Sequence, residues 1–163
     1  MPQDSSFRVH VTKDYLKFSA AHFIAYPGFR EALHGHNYRV SIEVEGALGD
    51  QGYVVDFGVV KKIARRLCGR LDEKVIIPAQ SDCLTIRQAA NAVTLRYEQD
   101  EFRFPASDVI LLPIVHSSVE ELARFLAGEL LKELENEGVG SVTAIEVGVE
   151  ESFGQTAYFR QES

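Results

Sequence analysis

"LHGHNYRVSIEVEG", Leu33 to Gly46, decides how this chain folds. Tyr38, Val40, Ile42 and Val44 alternate with Arg39, Ser41, Glu43 and Glu45, the period-two pattern of a half-exposed strand. Extended backbone sends alternate side chains to opposite faces, so His34 and His36 point the same way if their segment is extended. Gly35 between them leaves room for a close approach of backbone or ligand. Two imidazoles on one face can share a metal at the roughly 2.0–2.1 Å of a zinc–nitrogen bond.

Working upstream, "RVHVTKDYLKF" alternates less regularly from Arg8 to Phe18 and reads as a strand that His22 ends. The loop "IAYPGFREAL", with Pro27-Gly28 as its turn signal, separates His22 from the His-Gly-His pair. An antiparallel return through Phe23–Leu33 brings His22 beside His34 and His36. Three neutral imidazoles with one open position make the catalytic type of zinc site, able to polarise a carbonyl or hydroxyl oxygen. His10 reads as a surface strand residue, and His116 as a turn or capping residue that could take a site role.

Downstream, Asp56 begins a helix over "DFGVVKKIARRLCGRLDEK", with Val60, Ile63, Ala64, Leu67, Cys68 and Leu71 among its apolar face. "VTLRYEQDEFRF" suggests a hairpin with Gln99-Asp100 at its tip, and "VILLPI" a brief apolar strand or edge segment. A second helix covers "SSVEELARFLAGELLKELENEG", capped by Ser117 or Ser118, with Glu120 and Glu121 in its first turn and Gly138 at its end. "SVTAIEVGVEES" and "QTAYFRQ" close the chain as strands. Adjacent strands with short connections predict an α+β domain, an antiparallel sheet with both helices on one face. Its exposed face and edges predict oligomerisation.

The 163 residues, 45% of them hydrophobic, suit a single domain, residues 1–163, that needs no disulfide staples. A formal net charge of -7 argues against a nucleic-acid partner. No stretch approaches the roughly 20 apolar residues of a membrane span, and no signal-peptide pattern opens the chain, so a soluble cytoplasmic protein is expected. Two cysteines are too few for a secreted disulfide framework. Cys68 falls on the apolar helix face, and Cys83 has no histidine near it in sequence. Only "MPQDS" at the start reads as disordered.

"FSAAH", "LHGHNYRVSIEVEG", "GYVVDFGVVKK", "RLDEK", "HSSVEELA" and "VGVEES" together resemble the 6-pyruvoyl-tetrahydropterin synthase family over nearly the whole chain. The resemblance implies a tunnelling fold: an antiparallel four-stranded sheet with two helices on one side, here carrying an inserted hairpin. It also implies a homo-oligomer (trimer or hexamer) that closes a β-barrel, with active sites at subunit interfaces. By position, His22, His34 and His36 match the family's zinc ligands, and Glu151 matches the glutamate that anchors the pterin ring. Ser118 and Glu120 fall at further pterin-site positions. A carboxylate suits a pterin because it offers two acceptors to the ring's paired donor edge.

Two departures shape the functional expectation. Family members ordinarily place a proton-abstracting cysteine shortly before His-Gly-His, and none lies between His22 and His34 here. Glu31 stands in that segment instead, and "FREALHGHNY" resembles the branch in which glutamate replaces the cysteine. That branch is similar to a lyase that cleaves the side chain of 7,8-dihydroneopterin triphosphate to give 6-hydroxymethyl-7,8-dihydropterin, a folate precursor. The second departure is "LDEK": Asp72 is kept, but Glu73 stands where the family carries a relay histidine. Either Glu73 carries the proton, or His116 takes that role, or the chemistry differs from both branches. The alternatives are 6-pyruvoyl- or 6-carboxy-tetrahydropterin synthesis, or an inactive pterin- and zinc-binding homologue. Lys17, Arg30 and Lys74 are the candidate partners of a substrate triphosphate.

Overall fold

Strand β1 (Phe7–His22) lies antiparallel to β4 (His34–Gly46), with Val11 opposite Ile42, Phe18 opposite Tyr38 and His22 opposite His34. The computed structural model describes residues 6–163, so the expectation for "MPQDS" lies outside the described residues. β10 (Val142–Ser152) pairs antiparallel with β4, and β11 (Gln155–Glu162) antiparallel with β10. These are the four antiparallel strands the sequence predicts. The sheet is larger, however. β5 (Lys74–Pro78) adds parallel to β1 and β9 (Val109–Leu112) parallel to β5, giving six strands in the order β11-β10-β4-β1-β5-β9. A four-stranded sheet is thereby corrected to a mixed six-stranded one. "KVIIP" is too short an apolar run for periodicity to identify.

Parallel neighbours need a long connection, and the one between β5 and β9 carries the insertion. It is a three-stranded sheet, β6 (Thr85–Gln88), β7 (Ala92–Tyr97) and β8 (Asp100–Pro105), rather than a hairpin alone. Tyr97 pairs with Asp100, which moves the tip to Glu98 and Gln99. Glu98 there takes a φ of 50°. A short 3-10 turn, Ala106–Asp108, leads from the insertion to β9.

Helices α1 (Phe57–Leu71) and α2 (Val119–Asn136) cover one face of the large sheet. Asp56 caps α1 by accepting from the Gly58 N–H at 2.6 Å. Ser118, not Ser117, caps α2, accepting from the Glu121 N–H at 3.3 Å. α1 stops at Leu71 instead of running through "DEK": Asp72 is extended and Glu73 has a φ of 57°. Val60, Ile63 and Leu67 of α1 and Leu122, Leu126 and Leu130 of α2 meet Val40, Ile42 and Val147 of the sheet in the main core. A second cluster joins Phe23, Ala25 and Ile77 to Val93, Leu95 and Tyr97 of the insertion. None of the described helices is long and apolar enough to cross a membrane.

The loop between β1 and β4 is itself structured. β2 (Ala25–Tyr26) and β3 (Phe29–Arg30) form a miniature hairpin around Pro27-Gly28. Gly28 has a φ of +88°, as the third residue of a Pro-Gly type II turn requires. Leu130 is 1% exposed at the centre of the main core. Leu130→Ala is expected to lower unfolding free energy by about 2–5 kcal/mol, read as a lower urea midpoint at an unchanged m-value.

Candidate metal centre

The β1–β4 register brings the three histidines together. One ring nitrogen each of His22, His34 and His36 lies within 4.8 Å of the others. The ring centroids are 4.7, 5.3 and 4.9 Å apart, all edge-on. Gly35 is needed where the strands close on the pair, since a Cβ there would sit 3.1 Å from the Ala20 carbonyl oxygen.

Hydrogen bonds fix which nitrogens are free. His22 Nδ1 lies 2.8 Å from the Ser117 carbonyl oxygen, and His34 Nδ1 lies 2.7 Å from that of Ala32. A carbonyl can only accept, so both Nδ1 atoms carry the proton and both Nε2 atoms present lone pairs. His22 Nε2 is buried with no hydrogen-bond partner among the described residues. An orphaned buried acceptor aimed at two further imidazoles fits a metal ion. His22 is 2% exposed, and burial first, then the neighbouring His34 and His36, lowers its pKa against the opposing effect of Ser117 and Glu31. Depression of that pKa keeps His22 neutral, the form a metal requires.

Glu31 closes the miniature hairpin beside this cluster. Its N–H donates to the Ile24 carbonyl at 2.9 Å, and its Oε2 accepts from the Ile24 N–H at 2.9 Å. Its charge reaches both His22 and Tyr38. Glu151 stands on the other side, with Oε2 3.8 Å from His36 Nε2. A bulge explains how it is presented: Glu150 pairs with Thr156 and Ser152 with Gln155, which leaves Glu151 as the extra residue. Tyr38 lies edge-on to His22 and His36 and stacks on Phe18 at 4.7 Å. Its hydroxyl is buried and unpartnered among the described residues. Burial, with Glu151 and Glu31 adding to it, pushes the Tyr38 pKa up, so the phenol stays protonated.

Other expected site residues are placed differently. Asp72 Oδ1 accepts from the Ser19 N–H at 2.8 Å, and the Glu73 N–H donates to the Ser19 carbonyl at 2.7 Å. Both residues are thus tied to the edge of β1 through the Ser19 backbone, and Glu73 also lines a cleft with His36 and Lys74. Asp72 and Glu73 together line a cleft of about 500 Å³ with Lys17, Arg39 and Arg65. Ser118 spends its hydroxyl on capping α2, and Glu120 is exposed on that helix's first turn. His116 is half-buried and makes no hydrogen bond to a described residue. Arg30 is taken up by Asp100 at 2.6 Å, and Lys74 Nζ donates to the Ser107 carbonyl at 2.5 Å. Of the three expected triphosphate partners, Lys17 is the one with no such bond among the described residues. The chain also uses groups that sequence reading did not single out: the Ser117 and Ala32 carbonyls, the Ile24 N–H and Tyr38. Three of these are backbone atoms, which every residue has and no residue type announces. Ser117 had a signal, because only one of two adjacent serines can cap a helix.

Three convergent imidazoles with two carboxylates nearby, on an α+β fold, define a candidate metal centre. Residues 10–162 match the 6-pyruvoyl tetrahydropterin synthase family, and the chain belongs to it. A protein of Methanocaldococcus jannaschii, provisionally named a 6-carboxy-5,6,7,8-tetrahydropterin synthase, is 35% identical over 90% of each chain. The 6-pyruvoyl tetrahydropterin synthase of Plasmodium falciparum superimposes with a TM-score of 0.92 at 40% identity, covering 98% of this chain and 99% of that one. The corresponding Plasmodium vivax enzyme gives 0.92 at 37% identity over 98% and 100%. A glutamate of the latter is described as a catalytic residue, and structures exist with alanine and with cysteine in its place.

The lowered His22 pKa has a definite sign in stability. The unfolded chain takes up the proton first, so stability is full above about pH 6.5 and falls as pH drops toward the folded value. In metal-free protein the melting temperature is therefore expected to decline below pH 6.5, with a shallower decline in His22→Asn. Identical slopes in the two proteins, measured by calorimetry, remove His22 as the titrating group.

Proposed function

We propose that this chain is a zinc-dependent pterin lyase that cleaves the side chain of 7,8-dihydroneopterin triphosphate, with Glu31 as general base. One observation carries the reading: a carboxylate, not a thiol, is anchored beside the three-imidazole cluster, on the segment between His22 and His34. Cys68 is buried in the helical layer with its thiol pushed up to about 12, chiefly by burial, and Cys83 belongs to the edge of the second core. The catalytic glutamate of the Plasmodium vivax relative supports the same assignment.

His22, His34 and His36 are the residues to hold the ion, each through one neutral nitrogen. Bound there, zinc supplies Lewis acidity toward substrate oxygens. Glu151 binds the donor edge of the pterin ring and orients its side chain toward Glu31. Glu31 accepts the proton of the second side-chain hydroxyl. The bond between the first and second side-chain carbons then breaks, and its electron pair enters the dihydropterin ring while the second carbon becomes an aldehyde. Returning the proton to the first carbon gives the 6-hydroxymethyl product and a two-carbon aldehyde that carries the triphosphate. Oε2 is already held by Ile24, so Oε1 is the oxygen placed to move that proton.

Asp72, Glu73, Ser118, Glu120 and His116 complete the site, by this reading, where two copies meet in a trimer or hexamer. Support comes from Asp72 and Glu73, which in their own chain bind the Ser19 backbone rather than an imidazole. The chemistry and assembly are those of a soluble cytoplasmic enzyme. A second reading, 6-carboxytetrahydropterin synthesis, is favoured by the name of the Methanocaldococcus jannaschii relative; the missing thiol counts against it.

Mass spectrometry of zinc-loaded protein incubated with dihydroneopterin triphosphate is expected to show 6-hydroxymethyl-7,8-dihydropterin. A 6-carboxy or 6-pyruvoyl product overturns the lyase reading, and tight binding with no product favours an inactive homologue. Glu31→Gln is expected to abolish turnover at unchanged zinc content. Glu151→Gln is expected to raise KM for the pterin by roughly 10-fold or more, the worth of a charge-assisted pair.

A further inference from the structure

The insertion has a side that faces the Glu31 segment, and the contacts there are specific. Arg30, next to Glu31, sends both Nε and Nη2 to Oδ2 of Asp100, at 3.1 and 2.6 Å. Its Nη1 donates to the carbonyl oxygen of Glu31 at 2.8 Å. The guanidinium carbon stands 5.0 Å from the ring centroid of Phe102 and 5.6 Å from that of Phe23, and those two rings stack at 5.0 Å. At the turn of the miniature hairpin, the Tyr97 hydroxyl donates to the Tyr26 carbonyl at 3.0 Å. Asp100, Phe102 and Tyr97 all come from β7 and β8.

We infer that the three-stranded insertion positions the catalytic carboxylate, with Asp100 and Phe102 acting through Arg30 to fix Glu31. This rests on the assignment of Glu31 as general base. Glu31 is held at three points: its N–H and its Oε2 by Ile24, and its carbonyl by Arg30. The first two belong to the miniature hairpin itself. The third is set from outside, because a guanidinium is a rigid planar fork whose orientation is fixed by whatever holds its other nitrogens. Asp100 sets the direction of that fork, and the Phe23–Phe102 pair sets its plane. Two short strands joined by a turn are at best marginally stable alone, so the external hold has a purpose. Stability is a poor explanation for the ion pair: the Asp100 side chain is 53% exposed, and exposed pairs contribute little to global folding. Its effect is local, on where one carboxylate sits.

The test uses the full-length zinc-loaded enzyme and the variants Asp100→Ala, Asp100→Glu and Phe102→Ala. A carboxylate displaced by about 1 Å costs on the order of 100-fold in rate. Asp100→Ala is therefore expected to lower kcat on that scale, with KM and zinc content near wild type and partial recovery in Asp100→Glu. A second measurement needs no turnover: amide exchange at Ile24 and Glu31 is expected to speed up in Asp100→Ala and Phe102→Ala, while the amides of β1 and β4 stay protected. Unchanged kcat in Asp100→Ala or unchanged exchange at Glu31 overturns the inference. Failure of the base assignment looks different: Glu31→Gln then turns over like wild type, and the exchange data still decide whether Asp100 holds the segment.

Discussion

The pairing of β1 with β4 is the constraint on which the rest of the molecule depends. Setting His22 opposite His34 puts three imidazoles on one face, and a slip of one residue would send His22 to the other side. The same register places Phe18 on Tyr38 and joins the histidine cluster to the main core through that stacked pair. Between Thr12 and Lys17 the pairing shifts, with β1 advancing five residues against two of β4. The irregularity falls well away from the histidines, so the end of the ladder that holds them stays regular. His22 is then locked from a third element, through the Ser117 carbonyl at the start of α2.

Beside that ladder, two carboxylates stand on irregular backbone. Glu151 is turned out by a bulge, and Glu31 closes a miniature hairpin whose turn depends on Gly28. Such segments can present a side chain at an angle that a regular strand cannot. The loop that carries Glu31 is held by the second core. Phe23 and Ala25 of the loop share it with Val93 and Leu95 of the insertion. One hydrophobic cluster builds the sheet and the other holds the loop above it.

Between His22 and His34 the chain carries a carboxylate and no thiol. A cysteine presents one atom; a glutamate presents two oxygens and can be anchored by one while the other reacts. Ile24 supplies that anchor from its own backbone N–H. Within one chain, Asp72 and Glu73 hold the Ser19 backbone and line a cleft with Lys17 and Arg39.

The amino-acid sequence shows the α+β class, both helices, the long strands and the three histidines, because those features are periodic or chemically rare. It also singled out Glu31, because the segment lacks a cysteine. Tertiary structure decided the rest. "KVIIP" and "TIRQ" are too short for any period, so the parallel strands of the sheet and the third strand of the insertion came only with their neighbours in place. The hold of Asp100 on Arg30 joins residues 70 positions apart, a distance across which no local pattern reaches. The tautomers of His22 and His34 are set by the carbonyls of Ser117 and Ala32. Every residue carries such a carbonyl, so only the folded chain could say which two would meet an imidazole.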